Sequence, residues 1–93
     1  MTYLGRRDVH TTAELEAATG YGYRTLRRWV VAGVLPPPRK VGRGLGRGVI
    51  ALWSADALRT ARAVATLRRQ GFSLEAAATM AARSLADPAR KRR

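Results

Sequence analysis

Three arginines are spaced so that a helix would place their guanidinium groups together. Arg24, Arg27 and Arg28 follow the spacing i, i+3 and i+4, which brings residues to one side of an α-helix. A guanidinium is planar and always charged, and it can donate two parallel hydrogen bonds to a phosphate or to the edge of a guanine. The pattern indicates an anion-binding face with nucleic acid as a candidate partner. The alternative interpretation is a solvated helix surface.

The sequence around these arginines is also basic. Residues 21–50 contain seven basic residues and no acid, whereas residues 1–20 contain two basic and three acidic residues. The whole chain of 93 residues carries a net charge of +12. A self-repelling charge of this size favours an acidic partner, and the phosphate backbone of duplex DNA is the first candidate.

Few residues could support catalysis or hold a metal ion. The six acids are scattered, there is one His, and there is no Cys. The segment RGLGRG at 43–48 lacks the G-K-[ST] ending of a phosphate-binding loop. We expect neither enzymatic activity, nor a cofactor, nor a metal.

The sequence contains no apolar stretch of membrane-spanning or signal-peptide type. Together with the expected nucleic-acid partner, this predicts a cytoplasmic, nucleoid-associated protein.

Two short helices joined by a glycine turn are predicted to carry the arginines. Thr11 and Glu14 have the spacing of a capping box and predict a helix that ends at Gly20. A second helix is predicted over about Tyr23–Ala32, with Gly22 as its cap. Two short helices with a glycine-containing turn match the helix-turn-helix pattern, whose second helix enters the major groove of DNA.

The second helix is predicted to be two-sided. Leu26, Trp29 and Val30 lie opposite the arginines, so this stripe should face the core. Trp29 and the later Trp53 could stack on bases, but we expect both in the core.

After the second helix, glycine, proline and basic residues alternate with short apolar runs. This composition predicts a β wing ending in an apolar strand at 49–53.

Two further helices are predicted, beginning at Ser54 and Ser73. The expected fold is mainly α-helical, a winged helix-turn-helix with a short β wing and two C-terminal helices. It should occupy residues 11–86, between an N-terminal arm at 1–10 and a basic tail at 87–93.

The order of these segments resembles the DNA-binding domain of the MerR family. The resemblance rests on TTAELEAATG, YRTLRRWVVAGVLPPPR, LWSADAL and LRRQGFSLEAA, in that order, and covers about residues 11–82. It implies a sequence-specific double-stranded DNA-binding protein. Such proteins usually bind inverted repeats as dimers and activate transcription by distorting the promoter.

The resemblance also implies which residues contact DNA. The second helix would contribute Tyr23, Arg24, Thr25, Arg27 and Arg28, and the wing would contribute Arg39, Lys40, Arg43 and Arg47. The sequence departs from the family pattern at Ile50 and Ala51, which stand where an aromatic–Arg pair is common. The wing is also longer and glycine-rich, so its contacts should shift to Arg43 and Arg47.

Three functional hypotheses remain open. These 93 residues predict neither the long dimerisation helix nor the effector domain of many family members, so we expect a small transcription regulator without a small-molecule effector. It would self-associate on DNA, as a dimer or head to tail, with the transcription machinery as a further partner. An excisionase-like or phage architectural, recombination or packaging protein has the same sequence features. The third hypothesis is a protein-interaction module whose basic face meets an acidic protein, RNA or membrane.

Overall fold

The capping box predicted from Thr11 and Glu14 begins the first helix. In the computed structural model, which describes residues 9–42, 44, 46 and 48–86, the Thr11 hydroxyl accepts a hydrogen bond from the Glu14 backbone N–H at 3.2 Å. The Glu14 carboxylate accepts one from the Thr11 backbone N–H at 2.8 Å. Both bonds satisfy donors that a helix N-terminus otherwise leaves free. The helix ends at Gly20, whose φ of +82° is left-handed.

Seven elements follow one another along the described chain. In order they are β1 (Val9–Thr11), α1 (Thr12–Thr19), α2 (Tyr23–Val31), β2 (Arg39–Gly42), β3 (Val49–Ser54), α3 (Ala55–Arg69) and α4 (Leu74–Ala86). The mainly α-helical winged helix-turn-helix predicted from the sequence is confirmed. The basic tail at 87–93, most of the predicted N-terminal arm, Arg43 and Arg47 lie outside the described residues.

The three strands form one antiparallel sheet with β3 in the middle, in the order β1-β3-β2. β1 pairs His10 with Trp53, and β2 pairs Arg39 with Leu52. The sequence predicted the wing but not β1. Three residues are too few to show the alternation that marks a strand, and β1 depends on a partner far along the chain.

Helices α2 and α3 end in the same way. At the end of α2, Gly33 has a φ of +83°. The N–H of Val34 donates to the Trp29 carbonyl at 2.8 Å, and that of Gly33 donates to the Val30 carbonyl at 3.0 Å. These bonds form a Schellman motif, which satisfies carbonyls that the helix leaves unpaired. The same arrangement, with Gly71 at a φ of +101°, ends α3.

The core lies where α1, α2, β3, α3 and α4 meet. Its buried apolar side chains are Leu15, Leu26, Trp29, Leu35, Trp53, Ala57, Ala61, Val64, Ala65, Ala77 and Ala81. Alanine is frequent at the contact between α3 and α4, and its small side chain lets two helix backbones come close. Both tryptophans are buried, as predicted. The indole N–H of Trp53 donates to the Thr12 hydroxyl at 2.9 Å, which ties β3 to the start of α1.

Helical periodicity groups Ala18 with Leu15 and Thr19 on one side of α1, but Ala18 lies on the outside of the molecule. Ala18 is exposed, whereas Leu15 and Thr19 are buried. Successive residues of an α-helix are rotated by about 100° around its axis. Leu15 and Thr19 are therefore about 40° apart, and Ala18 lies on the side of Leu15 that is away from Thr19. α1 therefore presents the side between Leu15 and Thr19 to the core, and Ala18 faces outward.

Candidate nucleic-acid interface

Helix α2 has a buried face and a cationic face, as the sequence predicts. Leu26 is fully buried and Trp29 is nearly so. Arg24, Arg27 and Arg28 are all exposed. Because the apolar side chains fix the rotation of the helix against the core, the three guanidinium groups point outward from one side.

The edges of this cationic face are less uniform. Tyr23 is exposed at the first residue of α2, and Thr25 is half-buried. Val31, seven residues after Arg24, is 81% exposed, so an apolar side chain ends a face that is otherwise basic. Tyr23 and Thr25 thus lie at its boundaries, as the periodicity predicts.

The turn before α2 is tied to both helices that it connects. The hydroxyl of Thr19, at the end of α1, donates to the Leu15 carbonyl at 2.8 Å and accepts from the Tyr21 backbone N–H at 3.1 Å. The Tyr21 ring then packs against the Trp29 ring of α2, with centroids 5.1 Å apart and an interplanar angle of 57°. Such a tilted aromatic contact adds to the packing of both rings. The turn therefore has a defined geometry.

A residue from outside the helix-turn-helix also reaches this turn. Arg69, the last residue of α3, donates from Nη1 to the Thr19 carbonyl oxygen at 2.8 Å. Helical periodicity alone places Arg69 with Arg59 and Arg62 on one outward face of α3. It could not reveal a bond to a residue 50 positions earlier.

The wing presents cations on both sides of a narrow ribbon. Arg39 and Lys40 are exposed at the start of β2. They are consecutive, so their side chains leave opposite faces of the strand. Among the described strands, β2 lies at the edge of the sheet and pairs with β3 alone. A surface lying against one face of β2 could therefore contact Arg39 or Lys40 but not both. The two wing cations predicted beyond β2 are Arg43 and Arg47, outside the described residues.

Glycines shape the connection between β2 and β3. Gly44, Gly46 and Gly48 have φ values of +93°, +68° and +79°, a region that other residues rarely adopt. The glycine-rich composition of the segment therefore has a conformational reason. It also leaves the backbone free of side chains at three positions where a surface could approach closely.

The charges of α2 and β2 are not neutralised within the described part of the chain. Among the described residues, Asp56 forms an ion pair with Arg59, and the Glu14 carboxylate lies 3.4 Å from Nδ1 of His10. The described acids lie on α1, α3 and α4, so none is on α2 or in the wing. The cations of these two elements are therefore available to an external anion. The attraction between these cations and the anion is stronger at low salt, because salt screens exposed charges.

The described residues form neither a metal-binding cluster nor a membrane-spanning helix. Within the described ranges, no group of three or more His, Cys, Asp or Glu side chains is placed to hold a metal ion. No described helix combines the length and apolar character needed to cross a membrane. The cationic face of α2 and the wing are therefore the features from which a function can be argued.

Comparison with known protein families identifies the fold and the kind of protein. Residues 10–84 match the family model described as MerR HTH family regulatory protein. The match covers both helices of the helix-turn-helix, the wing and nearly all of α3 and α4. A search of curated proteins gives no match.

Proposed function

The chain belongs to the MerR family of helix-turn-helix regulatory proteins, and we propose that it is a transcription regulator that binds a specific sequence of duplex DNA. The observation that carries the proposal is the cationic face of α2. Three arginines point outward from a helix whose other side is fixed in the core, within a stretch of 30 residues that contains no acid.

In the proposed complex, α2 lies in the major groove, which is wide enough to admit an α-helix. The early residues of a recognition helix reach base edges, which assigns base contacts to Tyr23 and Arg24. The fork of Arg24 matches the two acceptors of guanine. Arg27 and Arg28, one turn later, would contact bases deeper in the site or the phosphates at its edge. Thr25, at the boundary of the cationic face, would donate its hydroxyl to a phosphate.

The wing would follow the backbone beside this groove. Arg39, Lys40, Arg43 and Arg47 are proposed phosphate contacts, which position a protein on DNA without reading its sequence. Arg39 and Lys40 leave opposite faces of β2, so a wing lying edge-on to the DNA would let both reach phosphates.

A selection of bound genomic fragments tests the proposal. Fragments of the source genome are bound to the protein at about 0.15 M salt, where distant surface charges are screened, and the recovered DNA is sequenced. We expect an enriched repeat upstream of genes, and the orientation and spacing of its copies would reveal how the protomers are arranged. The matched control is a protein in which Arg24, Arg27 and Arg28 are replaced by Gln, which should recover no enriched sequence.

Two other outcomes would contradict the proposal. Enrichment confined to attachment or packaging sites would favour the excisionase-like or phage alternative. Binding without any enrichment, lost at moderate salt, would mean that the charge serves a different acidic partner.

A further inference from the structure

Helix α1 lacks a cation of its own at its C-terminus. Its sequence, TAELEAAT, contains no Lys, Arg or His. The C-terminal end of a helix carries a partial negative charge and carbonyls without intrahelical partners. The N–H of Gly20 satisfies the Glu16 carbonyl at 2.8 Å. The last carbonyl of the helix, on Thr19, takes its donor from elsewhere.

That donor is Arg69, which brings the missing cation from the end of α3. Its Nη1 lies 2.8 Å from the Thr19 carbonyl oxygen, in a bond that is partly buried. The same nitrogen would lie 3.7 Å from a Cβ added at Gly20. The guanidinium therefore lies against the first residue of the turn. A charge-assisted hydrogen bond in such a setting is stronger than one between neutral groups.

Thr19 is also the residue that holds the rest of the turn. Its hydroxyl accepts from the Tyr21 N–H, and the Tyr21 ring packs on Trp29 of α2. A continuous set of contacts thus runs from Arg69 through Thr19 and Tyr21 to α2. α2 contacts α1, and its buried residues Leu26 and Trp29 join the common core. The turn is therefore a second contact, besides this buried face, that positions α2 on the rest of the domain.

We propose that Arg69 is a positioning residue that orients the recognition helix, and that it raises discrimination between DNA sequences without contacting DNA itself. The proposal rests on the proposed function for its biological meaning. Base contacts depend on hydrogen bonds that weaken steeply when their angle changes, whereas phosphate contacts tolerate displacement and carry no sequence information. A tilted α2 should therefore lose specific affinity and keep most of its non-specific affinity.

The test compares Arg69→Gln with Arg62→Gln. Arg62 lies two turns earlier on the same side of α3 and is exposed, so both variants lose one charge from similar positions. The readout is the ratio of the Kd for shuffled DNA to the Kd for the selected site, measured by fluorescence anisotropy. We expect Arg69→Gln to lower this ratio about tenfold, as expected for one impaired bidentate base contact. Arg62→Gln should leave the ratio unchanged, and Arg69→Lys, which keeps a charged donor, should restore part of it.

A second measurement does not require DNA. Amide hydrogen exchange of the free protein should show faster exchange at Tyr21 and Leu26 in Arg69→Gln than in Arg62→Gln, with equal rates in α4. Arg69→Gln should melt no more than about 8 °C below Arg62→Gln, because it loses one hydrogen bond, whose net contribution to stability is modest. Both variants should therefore be folded at the temperature of the DNA titrations, and a lower sequence ratio in Arg69→Gln then separates positioning from general destabilisation.

Three results would overturn the proposal. The first is an unchanged sequence ratio in Arg69→Gln. The second is an equal loss on both DNAs with a smaller salt dependence, which would make Arg69 a direct phosphate contact. The third is unchanged exchange at Tyr21. If the wild-type protein has no sequence preference, the proposed function fails, and the exchange rates alone decide whether Arg69 holds the turn.

Discussion

Arg24 is the basic residue from which the strongest single effect on sequence recognition is expected. It lies in the first turn of α2 and is exposed. Arg24→Ala should weaken binding to the selected site by about 1–3 kcal/mol if its fork bonds one guanine, and relax the preference at that base. Fluorescence anisotropy with the selected site and its single-base variants measures both effects.

The matched control for this prediction is Arg59→Ala. Arg59 is exposed on α3 and already paired with Asp56, so its loss should change affinity little. If Arg24→Ala leaves affinity and base preference unchanged, α2 is not the helix that reads DNA.

The wing arginines should behave differently from Arg24. Arg43→Ala or Arg47→Ala should weaken binding to all sequences by the same factor and reduce the slope of log K against log salt by about 0.9 for each lost phosphate contact. Titrations at several salt concentrations, on the selected site and on shuffled DNA, measure this slope. Arg83→Ala on α4 is the control for loss of charge. A loss confined to the selected site would instead assign the residue to a base.

The capping box of α1 gives a prediction at the level of an element. Thr11→Ala removes the acceptor of the Glu14 N–H and frees the end of a helix of only eight residues. It should lower the free energy of unfolding by about 1 kcal/mol, measured by urea denaturation. Thr79→Ala, at an exposed position within α4, is the matched control and should be neutral or slightly stabilising. Equal losses in the two variants would mean that the cap contributes nothing.

The elements that the sequence predicted are those with local signals. Thr11, Gly22 and Ser54 each begin a helix as expected. A cap acts within four residues of its own position, so its effect is visible in a short window of sequence. The two-sided pattern of α2 was equally visible, because a helix with one buried face repeats its apolar residues every three or four positions.

The features that the sequence did not reveal depend on distant partners. β1 exists because β3 offers it an edge, and nothing within its three residues indicates this. Arg69 resembles the other arginines of α3 until the fold places the end of α1 beside it. The lack of a cation at the end of α1 is a local hint that one must come from elsewhere, but it does not say from which residue.

The charge of the whole molecule predicts how its binding depends on salt. With a net charge of +12 and an α2–wing surface free of acids, several phosphates should be neutralised at once. If about six are, the log–log slope of affinity against salt should be near −5, because counterions are released from the duplex. Titration of non-specific duplex DNA from about 0.05 to 0.2 M salt measures the slope. A slope near −1 would contradict a binding surface of this extent.

The place of β1 in the sheet has a consequence for how the chain is made. β1 pairs with β3 across about 40 residues, and that interval contains both helices of the helix-turn-helix and the wing. Translation at about 5–20 residues per second would deliver the partner strand about 2–8 s after β1 has left the ribosome. The loop-closure cost of so long an interval must also be met before the pairing stabilises anything. Helix α2 is therefore synthesised before β3 and before Arg69, and residues 9–11 are without their strand partner β3 during that interval.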